Sequence, residues 1–289
     1  TARPAVMPRA TRRGPRTRAP LRRVAALGAL AIAVVAATGC SAYPPEYVWR
    51  VLTLREADVD DMHVFPRREV SAAASAREMP VALDADRVRR AFAQAVPGHA
   101  LEPWLQAHDT LAFVVLQHGR VIYEGYFGGQ QRDAPVTSFS VAKSVLATLV
   151  DLAIERGHVG ALDDPVTRYL PELARRDPRF GRVTLRHLVD MNSGLRYREF
   201  PFFHGDDAKT YYFPDLRRLA LDYTLVAREP GAWQYNNYHP LLLGLVLERA
   251  TGMSVSRWLE TALWQPAGMA GDASWSLDSQ ASGFEKLES

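Results

Sequence analysis

A β-hairpin followed, about a dozen residues on, by an apolar helix beginning on Ser140-Val-Ala-Lys143 constrains this chain more than any other stretch. Residues 111–117 and 121–127 are rich in β-branched and aromatic side chains, and the short His118-Gly119-Arg120 link between them suits a tight turn. Thr137 and Ser138 then precede a run in which Val145, Leu146, Leu149, Val150 and Ala153 recur at helical spacing, closed by Gly157. On that helix Ser140 and Lys143 share a face, so the amine can reach the hydroxyl. A serine hydroxyl attacks a carbonyl only when a base takes its proton, and a lysine serves as that base where burial disfavours its charged form. The chain has only three lysines, so the pairing is uncommon by composition. The same residues would also fit a plain helix start with a solvated lysine one turn on.

The 289 residues are 47% hydrophobic, enough for a sizeable core in one large or two small domains. The net charge of +3 misleads if read globally. Eight arginines and no acid fall in residues 1–39, which leaves −5 on the remainder and no reason to expect nucleic acid as a partner. Residues 1–39 read as a signal peptide: a basic stretch ending in Arg22-Arg23, then a small-residue apolar run over 24–37, shorter than the roughly 20 residues a spanning helix needs. Cys40, the single cysteine, follows Thr38-Gly39 at the end of that run. The arrangement resembles a bacterial lipoprotein cleavage box with Ala37 at the usual leucine position. It implies cleavage before Cys40, lipidation of its thiol and an exported, membrane-anchored body; an uncleaved anchor or ordinary secretory signal are the alternatives. One cysteine leaves no disulfide to form.

Residues 40–80, rich in Pro, Ala and charge, read as a tether, and 81–289 as the folded domain. Helical spacing over 84–95 predicts the first helix. Leu162-Asp-Asp-Pro165 predicts a turn into a short helix through Leu170, and Thr184 a cap before a helix that stops at Ser193-Gly194. Residues 196–216 are polar yet dense in aromatics, which suits either the wall or lid of a site or a loop packing on itself. The stretch 241–250 is apolar at helical period and closes at Gly252.

A hairpin, Ser140-x-x-Lys143, a helical region and then Tyr235-Asn236-Asn237, in that order, resembles the serine β-lactamases and penicillin-binding proteins. The flanks Val183-Thr-Leu-Arg-His-Leu-Val-Asp-Met-Asn-Ser-Gly-Leu195 and Glu229 to Gly252 are also similar to that family. Trp264-Gln-Pro-Ala-Gly-Met269 and Asp272-Ala-Ser-Trp-Ser-Leu-Asp278 look most like the branch of 6-aminohexanoate-dimer hydrolases and related esterases near class C. The resemblance implies an α+β fold, an antiparallel sheet flanked by helices with a helical subdomain, and hydrolysis of an ester or amide. Ser140 would be the nucleophile, Lys143 its base and Tyr235 a proton relay; Asn237 would hold Lys143 or the substrate, or else cap the next helix. The Ser140 amide would supply half of an oxyanion hole. No metal or other cofactor is expected, and the substrate would be a small or peptide-like ester or amide. His239 reads as structural, and no Gly-x-Ser-x-Gly elbow supports a Ser-His-Asp triad.

The family's third motif, a Lys/His-Thr/Ser-Gly on a C-terminal strand, has no counterpart after Tyr235. The expectation is therefore a domain truncated at its C-terminus, with the hairpin 111–127 left as an unpaired edge. Three functions stay open: an acyl-serine hydrolase, a binding module that retains the fold without turnover, and a peptidoglycan DD-peptidase.

Overall fold

The computed structural model describes residues 43–287. The signal-peptide expectation over 1–39 and the lipidation expectation at Cys40 lie outside the described residues. The chain first forms α1 (Pro45–Leu54), β1 (Arg67–Val70), α2 (Ala85–Ala95) and α3 (Leu101–Ala107). The hairpin β2 (Ala112–Gln117) and β3 (Arg120–Tyr126) comes next, then α4 (Ala142–Glu155). Short helices α5 (Pro171–Arg176), α6 (Leu185–Val189), α7 (Asp206–Tyr212) and α8 (Leu216–Tyr223) lead into α9 (Tyr238–Thr251), α10 (Val255–Leu259) and β4 (Ala273–Ser276). Among the described residues the strands form two small antiparallel sheets, β1–β4 and β2–β3. Among the described residues no helix is long and apolar enough to cross a membrane.

The core is organised around α9. Residues 238–247 of it are buried on every side, as expected for a helix with no polar stripe. Leu146, Leu149, Val150 and Ala153 of α4 join it in one cluster with Leu185 and Leu188 of α6 and Leu216 and Leu219 of α8. Each leucine so buried contributes about 1.5–3 kcal/mol of transfer free energy. Gly252 ends α9 in the left-handed region (φ 70°), its N–H donating to the Glu248 carbonyl. The hairpin turns through His118 (φ 50°) and Gly119 (φ 71°), the double positive φ that matches strand twist. Tyr123 of β3 shares a second, smaller core with Val88, Leu101 and Leu105.

The tether reading of 40–80 needs correction. Within it, α1 inserts Tyr47 and Val51 into the main core, and Tyr47 donates through its hydroxyl to the Phe203 carbonyl at 2.7 Å. β1 then pairs with β4, Arg67 opposite Ser276 and Val70 opposite Ala273. Proline, alanine and charge dominate the composition there, yet residues 47 and 51 lie one helical turn apart and carry the packing. Residues 80–84 line the β3 edge, with Ala82 N–H donating to the Val121 carbonyl at 2.9 Å. On β2, Val114 and Leu116 stay exposed. The segment 196–216 is neither plain wall nor plain loop. It contains α7, and Tyr197, Tyr212 and Phe213 belong to the core while Phe200 and Phe202 remain exposed.

Candidate active site

Ser140 lies in a 3-10 turn, Phe139–Val141, that runs straight into α4. Phe139 just before it has φ 44°, a left-handed conformation that an aromatic residue adopts only under constraint from its surroundings. The bend leaves Ser140 exposed at the head of α4, and Lys143, one turn on, half-buried. Lys143 Nζ donates to Ser140 Oγ at 2.9 Å.

The second approach to that oxygen comes from an irregular segment 95 residues further along. Tyr235 donates its hydroxyl to Ser140 Oγ at 2.7 Å, and Lys143 Nζ lies 5.2 Å from the centre of the Tyr235 ring. Thus Ser140, Lys143 and Tyr235 form one constellation, two polar groups converging on the Ser140 hydroxyl oxygen.

The segment carrying Tyr235 rests on 191–197. Leu195 bridges Val226, the Gly194 carbonyl accepts from Ala227 N–H at 3.0 Å, and Gln234 N–H donates to Met191 O at 2.7 Å. Gly194 has φ 75°, and a Cβ there would lie 2.3 Å from the Arg228 carbonyl oxygen. Asn236 donates to Leu195 O at 3.3 Å and accepts from Tyr238 N–H at 2.9 Å, which fixes the turn into α9.

Asn237 is placed away from two of its expected roles, holding Lys143 and capping α9. It is buried, and its Nδ2 donates to the Tyr197 hydroxyl at 3.0 Å and to Asp207 Oδ1 at 3.1 Å rather than to Lys143. Although it occupies the N-cap position of α9, its side chain makes no capping bond. That Tyr197 and Asp207 meet Asn237 was not legible in the sequence. Their only sequence signal was membership of an aromatic, acidic stretch.

His239 is buried against Ser193 Oγ (2.6 Å) and Met191 Sδ (3.1 Å), and burial pushes its imidazole down to about 3. It is neutral scaffold, far below the range of a base that works near pH 7. Beside the Ser140 turn, a cleft of about 380 Å³ is lined by Val136, Thr137, Ser138, Ala142 and Trp264 among others, without the three converging residues themselves. Among the described residues, no group of three His, Cys, Asp or Glu side chains converges as metal ligands would.

The model of the family described as Beta-lactamase matches residues 102–287. This chain belongs to the β-lactamase family. The fold is accordingly β-lactamase/transpeptidase-like, here helix-rich with small antiparallel sheets. Among curated proteins the chain is 34% identical over 178 residues to esterase EstB of Burkholderia gladioli, covering 54% of this chain and 44% of that protein. It is 30% identical over 230 residues to 6-aminohexanoate-dimer hydrolase of Paenarthrobacter ureafaciens, covering 73% and 56% respectively. The chain therefore spans about half the length of these curated relatives. A solved Bacillus anthracis structure, proposed to be a 6-aminohexanoate-dimer hydrolase, superposes with a TM-score of 0.67 at 21% identity, over 83% of this chain and 63% of that one. That likeness establishes the shared fold.

Proposed function

We propose that this β-lactamase-family protein is a serine hydrolase that cleaves an ester or amide bond through an acyl-Ser140 intermediate. The convergence of Lys143 Nζ and Tyr235 OH on Ser140 Oγ, at 2.9 and 2.7 Å, carries the reading. Both distances lie within the hydrogen-bond reach that proton transfer requires. Lys143, in its neutral amine form, takes the Ser140 proton as Oγ bonds to the carbonyl carbon. Tyr235 passes a proton to the departing alcohol or amine as the bond to carbon breaks. Water then attacks the acyl ester, loses its proton to the same pair, and frees Ser140.

In the full-length protein, Ser140→Ala is expected to reduce turnover of a p-nitrophenyl ester by about 1,000-fold or more, and Lys143→Ala by at least about 100-fold, because such groups act as a unit. Undiminished hydrolysis by the Ser140→Ala protein would sink the mechanism. Stable labelling of Ser140 by a fluorophosphonate or fluorescent penicillin without turnover would instead support a binding module, and release of D-Ala from a pentapeptide a DD-peptidase. We further propose export and lipidation at Cys40, which a mass measurement of the mature N-terminus tests: an unmodified Cys40 rejects it.

A further inference from the structure

Tyr235 stands on backbone without regular secondary structure, between Gly231 and α9. A side chain on such backbone is held only as well as its neighbours are held. Its neighbours are gripped from one place. The Tyr197 carbonyl accepts from Gln234 Nε2 at 3.1 Å, just before Tyr235, and the Tyr197 hydroxyl accepts from Asn237 Nδ2 at 3.0 Å, just after it. Asp207 closes the arrangement. Its Oδ1 accepts from both the Tyr197 hydroxyl (3.1 Å) and Asn237 Nδ2 (3.1 Å). Bonds to a carboxylate are the stronger kind.

We infer that Tyr197 and Asp207 are positioning residues for Tyr235, a bracket from the start of α7 and the 191–197 segment that holds the tyrosine hydroxyl at the nucleophile. The inference rests on the acyl-Ser140 chemistry proposed above. The Asn237 amide nitrogen donates to both members of this bracket, and Asn237 Oδ1 has no hydrogen-bond partner among the described residues. Asn237 thus ties the bracket to the chain two residues beyond Tyr235. The neighbouring Asp206 reinforces the same end of α7 by accepting from the Tyr238 hydroxyl at 3.0 Å. Asp207 itself is exposed, whereas Tyr197 and Asn237 are buried, so its carboxylate can be removed without opening the core.

The test is steady-state hydrolysis of p-nitrophenyl acetate by the full-length protein, with thermal melting of each variant. Asp207→Ala and Tyr197→Phe are expected to lower kcat by about 10- to 100-fold, the range that misplacement of a catalytic group produces, with KM changed less than about twofold. Asp207→Asn keeps an acceptor oxygen and is expected to regain most of the lost kcat. The melting temperature of Asp207→Ala should stay within about 2 °C of the parent, as for other exposed substitutions. Wild-type kcat in Asp207→Ala overturns the inference, as does an Asp207→Asn protein no better than Asp207→Ala, or a kcat loss that only tracks a large fall in melting temperature. Failure of the underlying chemistry is separately visible, since Ser140→Ala would then hydrolyse the ester as fast as the parent.

Discussion

At the scale of single residues, the pair on which the proposed chemistry rests and the histidine left outside it are separated by burial. Ser140 is exposed and Lys143 half-buried, whereas His239 is 1% exposed with both ring nitrogens engaged. Its imidazole titrates near 3 in the folded protein and near its ordinary 6.5 once unfolded. The unfolded chain therefore binds more protons between those values, so stability falls as pH drops below about 6.5 and keeps falling toward 3. The ceiling is about 5 kcal/mol at 1.36 kcal/mol per unit. Thermal melts from about pH 7.5 to 4.5 should show this decline, and His239→Gln should melt lower at the upper end but with a shallower slope. An equal slope in both proteins would assign the acid lability to other groups.

The elements differ in how far sequence reveals them. Ser140-x-x-Lys143 and Tyr235 were legible because i, i+3 spacing on a helix is a local property and the order of motifs survives without coordinates. The hairpin was legible from its β-branched and aromatic runs around a glycine turn, and α4 and α9 from helical periodicity and a closing glycine. Pairings across distance were not. Nothing local in Asp207 or Tyr197 signals that they meet Asn237, and nothing in 67–70 announces 273–276 as its partner. The helix α1 was hidden for another reason, since two anchoring side chains sit in a composition that reads as linker. At this scale Gly194 is the vulnerable joint between 191–197 and 226–234. Its positive φ, and a carbonyl oxygen 2.3 Å from where an added methyl would stand, would make Gly194→Ala cost about 2 kcal/mol or more, read as a lowered denaturant midpoint. Parent-like stability would mean that the two segments can slide apart without penalty.

Across the whole molecule, distant parts of the chain share one core. Tyr47 and Val51 from α1 enter the same cluster as α4, α9 and the C-terminal Phe284 and Leu287. Leu287 sits so close to Gly244 of α9 that a Cβ there would lie 1.9 Å from its methyl. Replacing Tyr47 by Ala is thus expected to destabilise the protein by about 3–5 kcal/mol, the range for large aromatic truncations in a core, with a matching fall in melting temperature. A loss below about 1 kcal/mol would show α1 to be an accessory rather than part of the core.

The pairing of β1 with β4 also sets an order of events. Arg67 to Val70 cannot find their hydrogen-bonding partners until Ala273 to Ser276 exist, so a growing chain must carry β1 unmatched through the synthesis of about two hundred intervening residues. At about 5–20 residues per second, that wait is on the order of ten seconds or more. Throughout that interval the backbone N–H and C=O groups of β1 lack their strand partner, an open edge of the kind that invites mispairing.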